Sequence, residues 1–264
     1  MTPSHVMIGQ RGCHAHPTSR PVSLNPVILR ENFDNPKAVA SLIDHTLLKP
    51  EATRSDIARL CGEAREFSFA SLCVNPYWVR FAAESLAGST ARVCTVVGFP
   101  LGANEPATKI AEAELALAQG AQELDIVQNI GALRVGDFQF VKQEFADLAA
   151  LAHSRGAILK VILETCLLTE EEKITACRLA MEGKADFVKT STGFSTGGAS
   201  LEDVQLMRRI VGDSVGVKAS GGVRTLSAVR QMTAAGASRI GTSSGVIIMR
   251  ELKDEVGRLS EKTL

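Results

Sequence analysis

Gln119-Gly-Ala-Gln-Glu-Leu-Asp-Ile-Val127 leaves a helix through a glycine and enters a short apolar run. The chain uses the same device in Arg155-Gly-Ala-Ile-Leu-Lys-Val-Ile-Leu163 and in Ala235-Gly-Ala-Ser-Arg-Ile-Gly241, and Gly183-Lys-Ala-Asp-Phe-Val-Lys189 varies it. Glycine is the residue that most readily closes a helix in the left-handed conformation. A short β-branched-rich run without polar alternation suits a parallel strand covered on both faces. The sequence is therefore read as one helix-to-strand unit, repeated.

Extending the count in both directions gives eight such runs: Leu42–Ile43, Ala70–Val74, Val93–Val97, Glu123–Val127, Ile158–Leu163, Asp186–Lys189, Val215–Ala219 and Arg239–Gly241. Helical punctuation falls between them. Thr169-Glu-Glu-Glu172 is a capping box, Ser200-Leu-Glu-Asp203 a weaker one, and Asn75-Pro76 fits the N-cap and N1 positions. Gly120, Gly156, Gly183 and Gly236 sit where helices end. Eight strands are the number that closes a parallel barrel, so the expected fold is α/β, a single (β/α)8 TIM barrel. An open doubly wound sheet would carry a glycine-rich nucleotide loop after its first strand. Leu47-Leu-Lys-Pro50 is nothing like one.

Residues 1–36 hold five of the nine prolines and little periodicity. They are expected to form an N-terminal extension, partly disordered, with a capping helix near Pro36 to Ala40 and the barrel over 37–264. The 264 residues carry 29 Lys+Arg against 29 Asp+Glu, so no broad field favours nucleic acid or an anionic membrane. No apolar run approaches the roughly 20 residues of a bilayer span, and Met1 to Gln10 does not read as a signal peptide. The six cysteines include no CxxC pair and read as reduced thiols, which gives a cytoplasmic expectation. Cys13, His14 and His16 match no zinc spacing. No metal and no cofactor is implied.

Active sites of such barrels form at the C-terminal ends of the strands. Read in order, those ends are Asp44, Cys73, Gly98, Asp125, Lys160, Lys189, Lys218 and Gly241. Each polar residue has a bland reading. Lys160 can pair with a barrel carboxylate, Lys189 and Lys218 can reach solvent, Asp44 and Asp125 can be counter-ions, and Cys73 can be a small buried hydrophobe. Their convergence on one barrel mouth argues for chemistry. Lysine is rarely buried without a partner, and it becomes a nucleophile when a desolvated site and a second cation make its amine neutral. Two lysines and an aspartate are a kit for imine chemistry on a carbonyl.

Ser220-Gly-Gly-Val-Arg224 and Gly241-Thr-Ser-Ser-Gly245 follow strands seven and eight, and Thr190-Ser-Thr-Gly-Phe-Ser-Thr-Gly-Gly198 follows strand six. Glycine-rich turns leading into helix N-termini present backbone N–H groups to a phosphate.

The motifs Leu42-Ile-Asp-His-Thr-Leu-Leu-Lys49, Val96-Val-Gly-Phe-Pro-Leu-Gly102, Glu123-Leu-Asp-Ile-Val127, Lys160-Val-Ile-Leu-Glu-Thr165, Phe187-Val-Lys-Thr-Ser-Thr-Gly193 and Val217-Lys-Ala-Ser-Gly-Gly-Val-Arg-Thr225 resemble those of the deoxyribose-phosphate aldolases, in order, from about Leu42 to Ile248. The resemblance implies that Lys189 forms a Schiff base, that Lys218 perturbs its protonation, and that Asp125 relays protons with an ordered water. It implies that Asp44, Cys73, Lys160 and Thr190 line the substrate pocket, and that Gly193, Gly221, Gly222, Ser243 and Ser244 bind phosphate. The implied reaction cleaves 2-deoxy-D-ribose 5-phosphate to acetaldehyde and D-glyceraldehyde 3-phosphate, so the partners are a phosphorylated sugar and aldehydes. Two departures stand out. Some members carry lysine where this chain has Phe194, and the extension has no counterpart.

Other readings are a Schiff-base lyase for a different phosphorylated sugar, a barrel that only senses a phosphometabolite, and a metal-dependent aldolase. Against the last, His45 is the single histidine at a strand end. The sequence leaves the oligomeric state open, a homodimer included.

Overall fold

In the computed structural model, which describes residues 33–262, Gly120, Gly156 and Gly236 all take positive φ (108°, 68° and 115°) at the helix-to-strand joints. The fourth joint differs from expectation. Gly183 has φ of −74° and Lys184 adopts the left-handed conformation at 63°. Glycine stands at 183 for closeness instead, since a Cβ there would lie 2.6 Å from the Cβ of Phe145. The cluster of Cys13, His14 and His16 and most of the extension lie outside the described residues.

The eight strands are β1 (Ile43–Leu47), β2 (Ser71–Val74), β3 (Arg92–Val97), β4 (Glu123–Val127), β5 (Ile158–Ile162), β6 (Phe187–Lys189), β7 (Gly216–Ser220) and β8 (Arg239–Thr242). They pair in parallel in sequence order and close, β8 returning to β1 through Ile43↔Ile240 and Asp44↔Gly241. The first strand runs further than the sequence suggests. His45, Thr46 and Leu47 stay in it through their parallel register with Leu72, Cys73 and Val74 of β2, and the His45 imidazole Nε2 meets Glu63 Oε2 at 2.7 Å.

The helices are α1 (Pro36–Ala40), α2 (Arg54–Phe67), α3 (Val79–Ser85), α4 (Pro106–Ala118), α5 (Ile130–Arg134), α6 (Phe138–Ser154), α7 (Glu170–Glu182), α8 (Leu201–Val211), α9 (Leu226–Ala234) and α10 (Gly245–Lys262). Thr169 and Ser200 cap α7 and α8 as expected. Asn75 precedes a 3-10 turn, Pro76–Trp78, but its side chain makes no cap and donates to the Leu48 carbonyl at 3.1 Å.

Alternate strand residues face opposite ways. Leu72, Leu124, Ile126, Leu159, Val161, Val188, Val217 and Ile240 pack with helix residues such as Ile57, Phe145, Val204 and Ile248 in the main core. Each such side chain, fully buried, contributes roughly 1.5–3 kcal/mol. The residues between them point into the barrel, and these carry the charge. No helix among the described residues is long and apolar enough to cross a membrane.

Candidate active site

Asp125, in the middle of β4, is the hub of the barrel interior. Its Oδ2 accepts from Lys189 Nζ of β6 and from Lys218 Nζ of β7, both at 2.7 Å, and its Oδ1 accepts from Lys160 Nζ of β5 at 2.8 Å. Strand register explains the meeting: Asp125 pairs with Lys160, and Lys189 with Lys218. A second tier joins it. Lys218 Nζ lies 2.5 Å from Asp44 Oδ2, Lys160 Nζ lies 2.6 Å from Glu123 Oε2 and 3.7 Å from Asp44 Oδ2, and Arg239 Nη1 reaches Asp44 Oδ1 at 2.6 Å and Glu123 Oε2 at 3.2 Å. Gly241 makes room for this, because a Cβ there would stand 3.0 Å from Lys218 Cε.

Burial opposes the charges on Asp44, Asp125, Lys160 and Lys218, and partners outweigh it. It would raise Asp44, but Arg239, Lys218 and Lys160 hold that carboxyl far below its ordinary range. Asp125 is held low in the same way by Lys160, Lys189 and Lys218. Burial would lower Lys160 and Lys218, yet Asp125 and Asp44 keep both ammonium groups above the ordinary lysine range, with Glu123 adding to Lys160. Among the described residues, four buried cations (Lys160, Lys189, Lys218, Arg239) meet three carboxylates (Asp44, Glu123, Asp125), and the half-exposed Arg92 adds a fifth at 3.9 Å from Glu123, so full ionisation leaves positive charge in excess. The partners are unevenly shared. Among the described residues, Lys160 has three carboxylates within 4 Å, Lys218 has two, and Lys189 has Asp125 alone.

The other predicted residues divide. Cys73 is fully buried in a small apolar cluster with Leu48, Cys94, Val96 and Phe99, which forms one wall of the interior. Thr190 is buried and its hydroxyl bridges Ser220, donating to the carbonyl at 3.0 Å and accepting from the N–H at 3.1 Å, which ties β6 to β7. Gly193, Gly221 and Gly222 have φ near 85° (84°, 88° and 87°), a conformation that suits glycine. A Cβ on Gly198 would collide with the Gly221 carbonyl at 2.3 Å, so the loops after β6 and β7 lie backbone against backbone. Ser243 and Ser244 immediately precede α10, but the Ser244 N–H already donates to Thr242 Oγ1 at 2.9 Å. Phe194, 52 % exposed, meets Phe99 edge to face at 5.2 Å across the mouth.

Two expectations need correction. Asp44, Asp125, Lys160 and Lys218 lie within their strands, not at the tips, and form the inner layer of the barrel. His45 is not at the mouth. It faces outward beneath α2, against Glu63 and the Phe69 ring. Sequence reading also passed over Glu123, Arg239 and Cys94, whose thiol donates to Asp125 Oδ1 at 3.2 Å. The signal was available for the first two. Glu123 is two residues from Asp125, hence on the same strand face, and Arg239 opens an otherwise apolar run. Cys73, Cys94 and Asp125 bring possible metal-donor atoms within 4.8 Å of one another. The three ammonium groups on Asp125 oppose a cation there.

One carboxylate thus bridges two lysine amines inside the barrel, a geometry through which a proton can pass. A family model described as DeoC/LacD family aldolase matches residues 38–252. The chain is 61 % identical over 212 residues to the deoxyribose-phosphate aldolase of Brevibacillus brevis, covering 80 % of this chain and 95 % of the relative. It is 55 % identical over 223 residues to that of Thermococcus kodakarensis, covering 84 % and 100 %. Among solved structures, the aldolase QR15 superposes with a TM-score of 0.78 at 41 % identity, over 82 % of this chain and 96 % of its own. The deoxyribose phosphate aldolase of Aeropyrum pernix, described as a unique tetrameric structure, does so at 0.78 and 35 % identity, over 83 % and 92 %. The family match spans the whole barrel from α1 into α10, and the chain belongs to the DeoC/LacD family of aldolases.

Proposed function

We propose that this protein is a deoxyribose-phosphate aldolase, cleaving 2-deoxy-D-ribose 5-phosphate to acetaldehyde and D-glyceraldehyde 3-phosphate through an imine on Lys189. The observation that carries the assignment is the uneven sharing of carboxylates. Lys189 has a single carboxylate partner, and that oxygen also serves Lys218. Of the three buried barrel lysines it has the fewest carboxylate partners among the described residues, and it ends its strand with 3 % of its surface exposed, whereas Lys160 is sealed.

The neutral amine adds to the aldehyde carbon of the open-chain sugar, and loss of water gives the iminium. Removal of the C3 hydroxyl proton breaks the C2–C3 bond, releasing glyceraldehyde 3-phosphate and leaving an enamine. Protonation at C2 and hydrolysis then free acetaldehyde. Asp125, bridging Lys189 and Lys218, is suited to move these protons, and Lys218, held charged, opposes a second ammonium beside it. The turns at Gly193, Gly221, Gly222, Ser243 and Ser244 are read as the phosphate end, under the N-terminus of α10. Borohydride reduction with substrate, followed by peptide mass spectrometry, tests the assignment. Label on Lys189 is expected, and label on Lys160 or Lys218 would overturn it.

The same reading makes residues 37–264 the catalytic barrel, 1–36 an extension to it, and the protein cytoplasmic. It also includes a homodimer. The chain's single tryptophan and single tyrosine, Trp78 and Tyr77, line a groove of about 480 Å³ with Phe81 and Leu115. Tyr77 is 83 % exposed and Leu115 59 %, and aromatic anchors of this kind favour protein contacts. Arg54, Arg80, Glu84 and Glu112 line the same groove, a mix of signs that a second copy can match. Sedimentation velocity is expected to show a dimer that Tyr77→Asp weakens. A monomer in the unmodified protein would refute this part.

A further inference from the structure

Glu164, just after β5, is a carboxylate for which the reaction above has no use. It is buried, 2 % exposed, and its backbone is left-handed at φ 53° and ψ 61°. A non-glycine residue in that region is uncommon and carries a backbone cost. Glycine would relieve it, so the side chain at this position offsets the cost. What that side chain does is visible. Its two oxygens accept from the Thr192 N–H at 3.2 and 3.4 Å, and Oε2 also accepts from the Thr192 hydroxyl. Thr192 Oγ1 in turn accepts from the Phe194 N–H at 3.0 Å.

One buried carboxylate thus fixes the turn from Thr192 to Phe194, with Gly193 at its centre and Lys189 three residues before it. The far end of the same loop is fixed by the β7 loop, through the Ala199 N–H donating to the Gly221 carbonyl at 3.0 Å and the packing of Gly198 on Gly221. Thr190 and Ser191 are also tied to Ser220, whose hydroxyl donates to the Ser191 carbonyl at 2.6 Å, so what Glu164 adds is the hold on the turn itself. Hydrogen bonds to an ionised acceptor are about twice as strong as neutral ones, and a carboxylate serves both donors of Thr192 at once, which no neutral side chain of that size does as acceptor only.

We infer that Glu164 is a positioning residue, holding the Gly193 turn so that its backbone meets the substrate phosphate. The inference rests on the reading of Gly193 as part of the phosphate end. Charge-assisted bonds of about 1.5–3 kcal/mol set the scale at roughly ten- to a hundredfold.

Glu164→Ala, Glu164→Gly and Glu164→Gln are to be compared with the unmodified enzyme on deoxyribose 5-phosphate and on free deoxyribose, together with amide hydrogen exchange over residues 190–198. For Glu164→Ala we expect KM for the phosphorylated sugar to rise about tenfold or more, kcat and the free-sugar kinetics to move far less, and exchange over 190–198 to rise. Glu164→Gly should show the same KM defect despite its relaxed backbone. Glu164→Gln, which keeps an acceptor for the Thr192 N–H but not the charge, should recover part of the loss. Unchanged exchange in Glu164→Ala would overturn the inference, as would wild-type KM in Glu164→Gly or equal losses on both sugars. Ser244→Asp separates the two ideas. If it leaves the preference for phosphorylated sugar intact, the phosphate reading fails, while hydrogen exchange at 190–198 still judges Glu164.

Discussion

Lys109 and Lys160 are buried to the same extent, both 0 % exposed, and stand in opposite electrostatic conditions. Lys109, on α4, has a single carboxylate partner, Glu144 of α6 at 2.8 Å, and donates to the Val127 carbonyl at 2.9 Å. Burial prevails there: it draws the Lys109 ammonium below the ordinary lysine range and pushes Glu144 up. Lys160 meets the same burial, but Asp125, Glu123 and Asp44 together drive it the other way. Between these two lysines the number of carboxylates, not exposure, sets the direction. By that measure Lys189, with one shared carboxylate, has the partner count of Lys109 rather than of Lys160.

The largest effect should follow from removing the amine itself. Lys189→Leu is expected to abolish turnover, a loss on the order of 10⁴ or more, with no recovery at any pH. Borohydride labelling should vanish with it. Lys109→Met, a lysine of similar burial outside the barrel, should retain labelling at Lys189. Labelling lost in a folded Lys109→Met protein would break the distinction between the two sites.

Next in size is Lys218→Leu. It removes the fixed cation beside Lys189 and leaves the nucleophile. A displacement of two pH units in the activity profile corresponds to about a hundredfold at pH 7, at about 1.4 kcal/mol per unit. Activity should recover in part toward pH 9–10, with circular dichroism to show that the fold survives. A flat, equally low profile would give Lys218 a direct part in proton transfer and end its electrostatic role.

The barrel was readable because its signals are local. Gly120, Gly156 and Gly236 end helices by a property of one residue, and the runs that follow need no knowledge of their neighbours. Lys189, Lys218 and Asp125 were readable too, since charge inside an apolar run is locally anomalous. What escaped depends on closure. That Arg239 and Glu123 meet, 116 positions apart, follows from joining β8 to β1 and from the tilt of the strands. That His45 faces α2 and not the mouth follows from strand alternation once β1 is known to begin at Ile43. Glu164 looked like part of a motif, and only its left-handed backbone and the turn it holds distinguish it.

The smallest effect, and the sharpest test of the comparison, is on stability. Lys160→Met leaves three carboxylates with fewer counter-charges, and breaking a buried ion pair from one side costs about 3–5 kcal/mol. Asp44 and Asp125 are held below their ordinary values, so their stabilisation is present above about pH 4 and lost as pH falls. Lys160 is held above its own, so its stabilisation is present below about pH 10.4 and lost only above it. The gap between unmodified protein and Lys160→Met should therefore be widest from about pH 5 to 10 and only begin to narrow toward pH 3. The α4–α6 pair has the opposite signs. Folding disfavours the charged form of both Lys109 and Glu144, so removing both charges should not weaken the protein. Lys109→Met/Glu144→Leu is expected to be within about 1 kcal/mol of the unmodified protein or more stable. Urea unfolding of all three proteins at pH 3, 5 and 7 makes the comparison. A double variant that loses as much as Lys160→Met would mean that partner number does not separate the two buried lysines, and the argument that singles out Lys189 would lose its footing.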